Sequence, residues 1–240
     1  MKKIFALLLA LLMVLSLVAC GEKEETGKEN AGDTTVEDTN KTDDTTGGEA
    51  EVDDTITFQG EEWTMQTTKD APVYTVGTID KSKFVGPVLV TSLGQSTDAA
   101  MLDTVMKKAG VEYTYNATAS KDDMAGYKTV IFAVGASTKG LGAAGVSGDS
   151  EKARASAMVA EADAQGMAVI VCHLGGATRR GGLSDELSEL TMGSADYVVV
   201  KEDGNADSYF TIKAAAVNAP ATMVYSTKNT IEVFTDLFAA

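Results

Sequence analysis

Arginine is nearly missing from this 240-residue chain: of its 20 basic residues, seventeen are lysine and only residues 154, 179 and 180 are arginine. Histidine occurs once, at His173, and cysteine twice, at Cys20 and Cys172. So few imidazoles and thiols exclude a metal site built on several of either. No acidic loop with calcium-binding spacing occurs, and neither metal nor cofactor is expected. The net charge is −15 and no basic stripe runs along the chain, which argues against nucleic acid as a partner.

Long apolar runs are also scarce. One extends from Ile4 to Val18, broken only by Ser16 and preceded by Lys2 and Lys3. It is short for a membrane span, which needs about 20 apolar residues, and matches the core of a signal peptide over residues 1–20. Its end, Leu17-Val18-Ala19-Cys20-Gly21, resembles the lipobox of bacterial lipoproteins. The resemblance implies cleavage before Cys20 and a lipid on its thiol. The protein is then exported and anchored to the outer face of the cytoplasmic membrane.

Residues 21–55 hold thirteen acids and three lysines, no aromatic residue, and only Val36 and Val52 as branched aliphatics. Such a segment buries too little apolar surface to offset its ordering entropy, and it reads as a disordered acidic tether. With the leader's +2 and the tether's −10 set aside, residues 56–240 carry −7. Cys172 is the only cysteine of that part, so no disulfide can staple it.

From Pro87 onward, short apolar runs alternate with helical patterns. "PVLVTS" (87–92), "KTVIFAV" (128–134), "MAVIVC" (167–172) and "DYVVVK" (196–201) read as strands buried on both faces of a parallel sheet. "VEYTY" (111–115) reads as an edge strand and "ATMVYS" (221–226) as a sixth. Helices are predicted over 97–109, 149–165, 184–191, 206–217 and 228–239. This alternation predicts a three-layer αβα domain over 87–240, Rossmann-like or flavodoxin-like, with a mostly parallel sheet of five to six strands. Residues 56–86 read as an irregular β extension at one edge.

In such a sheet, ligands bind beyond the carboxyl ends of the strands. Three loops there stand out. The first contains Gln95, Ser96 and Asp98, the second Ser137, Lys139 and Gly140, and the third His173, Gly175, Gly176, Arg179, Arg180, Ser184 and Asp185. The strings "GQSTD", "GASTKGLGAAG" and "HLGGATRRGGLSD" resemble those of a family of uncharacterised bacterial exported proteins and lipoproteins, a domain of unknown function. The likeness covers roughly residues 85–240 and implies no activity.

"GLGAAG" (140–145) satisfies a dinucleotide fingerprint in letters only. It reads as a loop whose helix starts later, near Asp149, so it lacks the required strand-to-helix context. Ser96, His173 and Asp185 raise the possibility of an extracytoplasmic hydrolase, although "GQSTD" lacks the second glycine of a nucleophile elbow. Ser96 is otherwise expected to cap the helix at 97–109, and Cys172 to pack inside its strand.

The arginines carry the expectation about function. Lysine would suffice for long-range attraction, whereas arginine adds a planar fork that grips a carboxylate or phosphate with two hydrogen bonds. Flanking glycines allow close backbone approach and an anion-binding nest. Alternatively, Arg179 and Arg180 pair with Asp98, Asp185 or Glu186 and hold the loops together. The expected function is binding of a small anionic solute at the cell surface, in service of a membrane transporter or sensor. The alternatives are the hydrolase and a scaffold whose loops dock another protein.

Overall fold

The four most apolar runs form the centre of the sheet in the computed structural model, which describes residues 55–58, 61–64 and 67–239. The expected signal peptide and acidic tether lie outside the described residues, apart from Thr55. The central strands are β4 (Val88–Leu93), β6 (Thr129–Val134), β7 (Ala168–His173) and β8 (Tyr197–Lys201). Every residue of the first three is buried, as expected for strands covered by helices on both faces.

The other sheet members are β3 (Val73–Val76), β5 (Thr114–Tyr115) and β9 (Ala221–Val224). The order is β3-β9-β8-β7-β6-β4-β5, parallel except that β3 pairs antiparallel with β9. The sheet therefore has seven strands, one more than the sequence pattern predicts. The extra member comes from the 56–86 region, whose polar, irregular strings hide a four-residue edge strand. The remaining pair, β1 (Thr55–Phe58) and β2 (Glu61–Thr64), forms its own antiparallel ribbon.

The helices are α1 (Asp98–Ala109), α2 (Thr138–Ala144), α3 (Gly148–Gln165), α4 (Gly182–Met192), α5 (Tyr209–Ala216) and α6 (Thr230–Leu237). One core lies between the sheet and α1 with α6, and includes Leu102, Met106, Ile170 and Phe234. The other lies beneath α3, α4 and α5, and includes Phe132, Met158, Leu187 and Phe210. These are the three expected layers. Helix α1 follows from its pattern: Ala99, Leu102, Val105 and Met106 are buried at helical spacing, and Gly110 ends it in a left-handed turn.

One sequence expectation is corrected. "GLGAAG" is not a loop: α2 begins at Thr138 and contains Gly140 and Gly142, with Gly145 as its left-handed C-cap. Ser137 accepts a hydrogen bond from the Gly140 N–H and Leu141 is buried. Capping and packing thus overcome the poor helix propensity of glycine, about 1 kcal/mol per residue. The segment still differs from a dinucleotide fingerprint, because its glycines lie within the helix instead of leading into it.

Candidate functional site

From β4 the chain steps out to β5 at the edge and returns to β6 on the other side of β4. This reversal makes the gap between β4 and β6 the switch point of the sheet, where ligands bind in folds of this type. The loop leaving β4 turns sharply at Gly94, with φ +107, and a Cβ there would lie 2.3 Å from the Gly135 carbonyl oxygen. Only glycine fits that turn. Gln95 follows at φ 54, and its side chain points into the protein. Its Nε2 donates to the Ala117 carbonyl at 3.1 Å and to Glu151 Oε1 at 3.3 Å.

Glu151 is 1% exposed and supports this loop from α3. Its Oε1 accepts from the Gly94 N–H at 2.7 Å, and Arg154 donates to both carboxylate oxygens. Arg154 also reaches the carbonyls of Ser92 and Ala119. Burial pushes the Glu151 carboxyl upward, but the Arg154 hydrogen bonds, the Gly94 N–H, the Arg154 charge and the Gln95 amide outweigh it and hold it below its ordinary value.

The three loops meet. Leu93 and Gly94 carbonyls accept from Gly135 and Ser137 N–H groups, both at 2.9 Å. A Cβ on Gly140 would lie 1.7 Å from the Gln95 carbonyl oxygen, so α2 rests directly on the first loop. The Ala136 N–H donates to Ser184 Oγ at 2.8 Å, which joins the second loop to α4. The Gly175 N–H donates to Asp98 Oδ2 at 2.8 Å, which joins the third loop to the first. Ser96 is buried and its Oγ accepts from the Asp98 N–H at 3.2 Å. Ser96 is not the expected N-cap: Thr97 occupies that position without a side-chain bond, because the helix starts one residue later, and the Ser96 hydroxyl instead meets the Asp98 N–H from outside it.

The adjacent arginines have different surroundings. Arg180 donates to both oxygens of Asp185, both oxygens of Asp207 and the Gly204 carbonyl. Its guanidinium also lies 4.7 Å from the Tyr209 ring centre and 5.4 Å from that of Phe210. Its fork is fully used within the fold. Arg179 is half-buried and its guanidinium has no hydrogen bond or ion pair among the described residues. Its stem crosses Gly175, where a Cβ would lie 2.2 Å from Arg179 Cγ and 2.7 Å from Asp98 Oδ2. Lys139, in the first turn of α2, is exposed and likewise has no ion pair among the described residues.

The residues considered for hydrolysis do not form a triad. His173 is fully buried, stacked on Phe210 with ring centres 4.9 Å apart, and its Nδ1 and Nε2 face the carbonyls of Val134 and Gly176 at 3.0 and 3.1 Å. It bridges β6 and the turn at Gly176–Arg179 and does not hydrogen-bond to Ser96. Asp185 is taken by Arg180 and the Gly181 N–H. The alternative assignment of Ser96, His173 and Asp185 as catalytic partners is therefore withdrawn. Gly176 packs against Asp203, whose carboxylate a Cβ would strike at 2.2 Å. Cys172 is buried in the core, and burial, aided by the Asp98 charge, pushes its thiol far up.

Two groups escaped the sequence reading as site residues. Asp207 was not anticipated as an arginine partner, because its distance in sequence hides the contact. Arg154 gives no local sign of its contacts, although the rarity of arginine is itself a signal. The domain so defined is a three-layer α/β fold with a polar candidate site at its switch point. The chain belongs to the family described as Domain of unknown function (DUF6305), whose model matches residues 85–238. No curated protein and no solved structure matches it.

Proposed function

We propose that this protein binds a small anionic solute at the carboxyl edge of the sheet, with Arg179 as the principal contact. One observation carries the reading. All three arginines lie around the converging loops, two of them have their donors taken up by the fold, and half-buried Arg179 has no hydrogen bond or ion pair among the described residues. A fork without a partner in the fold, beside glycines that admit close approach, suits a carboxylate or phosphate. Lys139 adds a second cation from α2, and the Ser96 hydroxyl lies nearby, where a Cβ on Gly135 would touch it at 3.2 Å. Gln95, Arg180 and Asp185 support the loops and do not contact the solute.

The same proposal places the domain outside the cell. Cleavage before Cys20 and lipidation there would anchor it to the membrane, and a transporter or sensor would use the loaded form. Replacing Cys20 by alanine should release the protein from the membrane fraction of detergent-free lysates. Retention equal to wild type would reject the anchor.

Binding is tested by thermal shift of the purified chain against carboxylates and phosphates. A ligand present at 100 times its dissociation constant stabilises the folded state by about 2.7 kcal/mol. Arg179→Lys keeps the charge but loses the second hydrogen bond, and should weaken binding by about 1–3 kcal/mol with melting temperature unchanged. Absence of any shift across the panel would refute the function.

A further inference from the structure

Asp98 poses a problem that anion binding alone does not answer. Its side chain is 0% exposed at the start of α1. One oxygen accepts from Gly175, whereas Oδ1 has no hydrogen-bond partner among the described residues. No lysine, arginine or histidine nitrogen among them lies within ion-pair distance of it. Other carboxylates drawn into this domain, Glu151 and Asp185, are answered by arginines. The N-terminus of α1 favours a negative charge, but a buried carboxylate without a counter-charge remains costly. Buried polar atoms left without partners are uncommon and call for an explanation.

Its position supplies one. The carboxylate lies between Gly135 and Gly175, where Cβ atoms would come within 3.0 and 2.7 Å of Oδ2. The same missing Cβ on Gly175 would strike the Arg179 stem. The Asp98 carboxylate and the Arg179 stem therefore flank the same glycine. We infer that the solute is zwitterionic: beside its anionic group it carries a hydrogen-bond-donating nitrogen, as an α-amino acid does. Arg179 holds the carboxylate and Asp98 Oδ1 accepts from the ammonium group. Reaching Oδ1 requires the segment from Gly175 to Gly182 to shift. Four of its eight residues are glycine, and the side chain that opposes the movement is Arg180, clamped to Asp185, Asp207 and the Gly204 carbonyl.

This inference rests on the proposed anion site, and its test separates the two. The full chain is titrated calorimetrically with the common amino acids, with the deaminated counterpart of each (propionate for alanine, glutarate for glutamate), and with inorganic phosphate. At least one amino acid should bind about tenfold or more tightly than its deaminated counterpart, a difference of about 1.4 kcal/mol. Asp98→Asn keeps an acceptor for the Gly175 N–H but loses the charge, and should bring the pair within about threefold of each other. Arg179→Lys should weaken both members alike.

If deaminated acids or phosphate bind as well as any amino acid, the zwitterion is rejected and the anion site stands. A preference that survives in Asp98→Asn rejects Asp98 as the acceptor, and with it the inference. Failure of every probe to bind rejects both. Should Asp98→Asn not fold, the wild-type preference, present or absent, decides the question.

Discussion

At the scale of single residues, the molecule separates two functions that the sequence presents as one doublet. Arg179 and Arg180 share charge, neighbours and glycine content, yet only Arg180 is enclosed by partners. Its side chain is 15% exposed and bonded to two carboxylates. Lysine at that position would keep the charge but could not span Asp185, Asp207 and the Gly204 carbonyl from one rigid plane. Arg180→Lys should therefore lower stability by about 1–3 kcal/mol with or without solute, measured by urea denaturation. The same change at Arg179 should leave the denaturation midpoint in place. Equal losses at both positions would show that Arg179 also has a structural partner.

At the scale of elements, α2 tests whether its glycines serve contact or only accommodate the helix. Gly140 faces the first loop, and an added methyl would lie 1.7 Å from the Gln95 carbonyl oxygen, a backbone atom with little freedom to move. At Gly142 nothing lies within 4 Å and φ is not positive. Alanine at Gly142 should stabilise the protein by about 0.5–1 kcal/mol through helix propensity and a less flexible unfolded chain. Alanine at Gly140 should destabilise it by more than that gain. Melting curves of the two variants, expected to shift in opposite directions, check the assignment.

The same helix shows what was legible in the sequence. Strands β4, β6, β7 and β8 are continuous apolar runs, and their burial on both faces follows from side-chain chemistry alone. Helix α1 is equally plain from its spacing. Helix α2 was not, because its stability comes from Ser137, buried Leu141 and contact with Gln95, which become visible only after the chain is folded. The convergence of three loops could be read from strand order, since parallel strands send their following loops to one edge. The Asp185 partner of Arg180 was open from the sequence, but its Asp207 partner and the isolation of Arg179 were not. Asp207 lies beyond another strand in sequence, and a string of letters does not show which of two neighbouring side chains turns inward.

At the scale of the whole molecule, these clamps set the response to acid. Asp207 is held below the ordinary carboxylate range chiefly by the Arg180 hydrogen bond. For Asp185, burial pulls upward, but Arg180 and the Gly181 N–H prevail and lower it. Glu151 is lowered in the same manner by Arg154 and its neighbours. Each of these groups binds a proton less readily folded than unfolded. Their contribution is therefore complete above the unfolded values, about 4, and is lost as pH falls through the depressed folded values. A competing effect acts at longer range, because acid relieves the mutual repulsion of a domain carrying −7. That repulsion is screened over about 8 Å at physiological salt, whereas the paired groups are in direct contact. The local pairs should dominate. Melting temperature at constant ionic strength should change little from neutral pH to about 5 and fall steeply below about 4. Glu151→Gln should lower stability at neutral pH by about 3 kcal/mol, because Arg154 is left without its charge partner. It should also flatten the acid limb, because one of the titrating groups is gone. A wild-type melting temperature that rises between about pH 5 and pH 3 would mean that general repulsion outweighs the clamps.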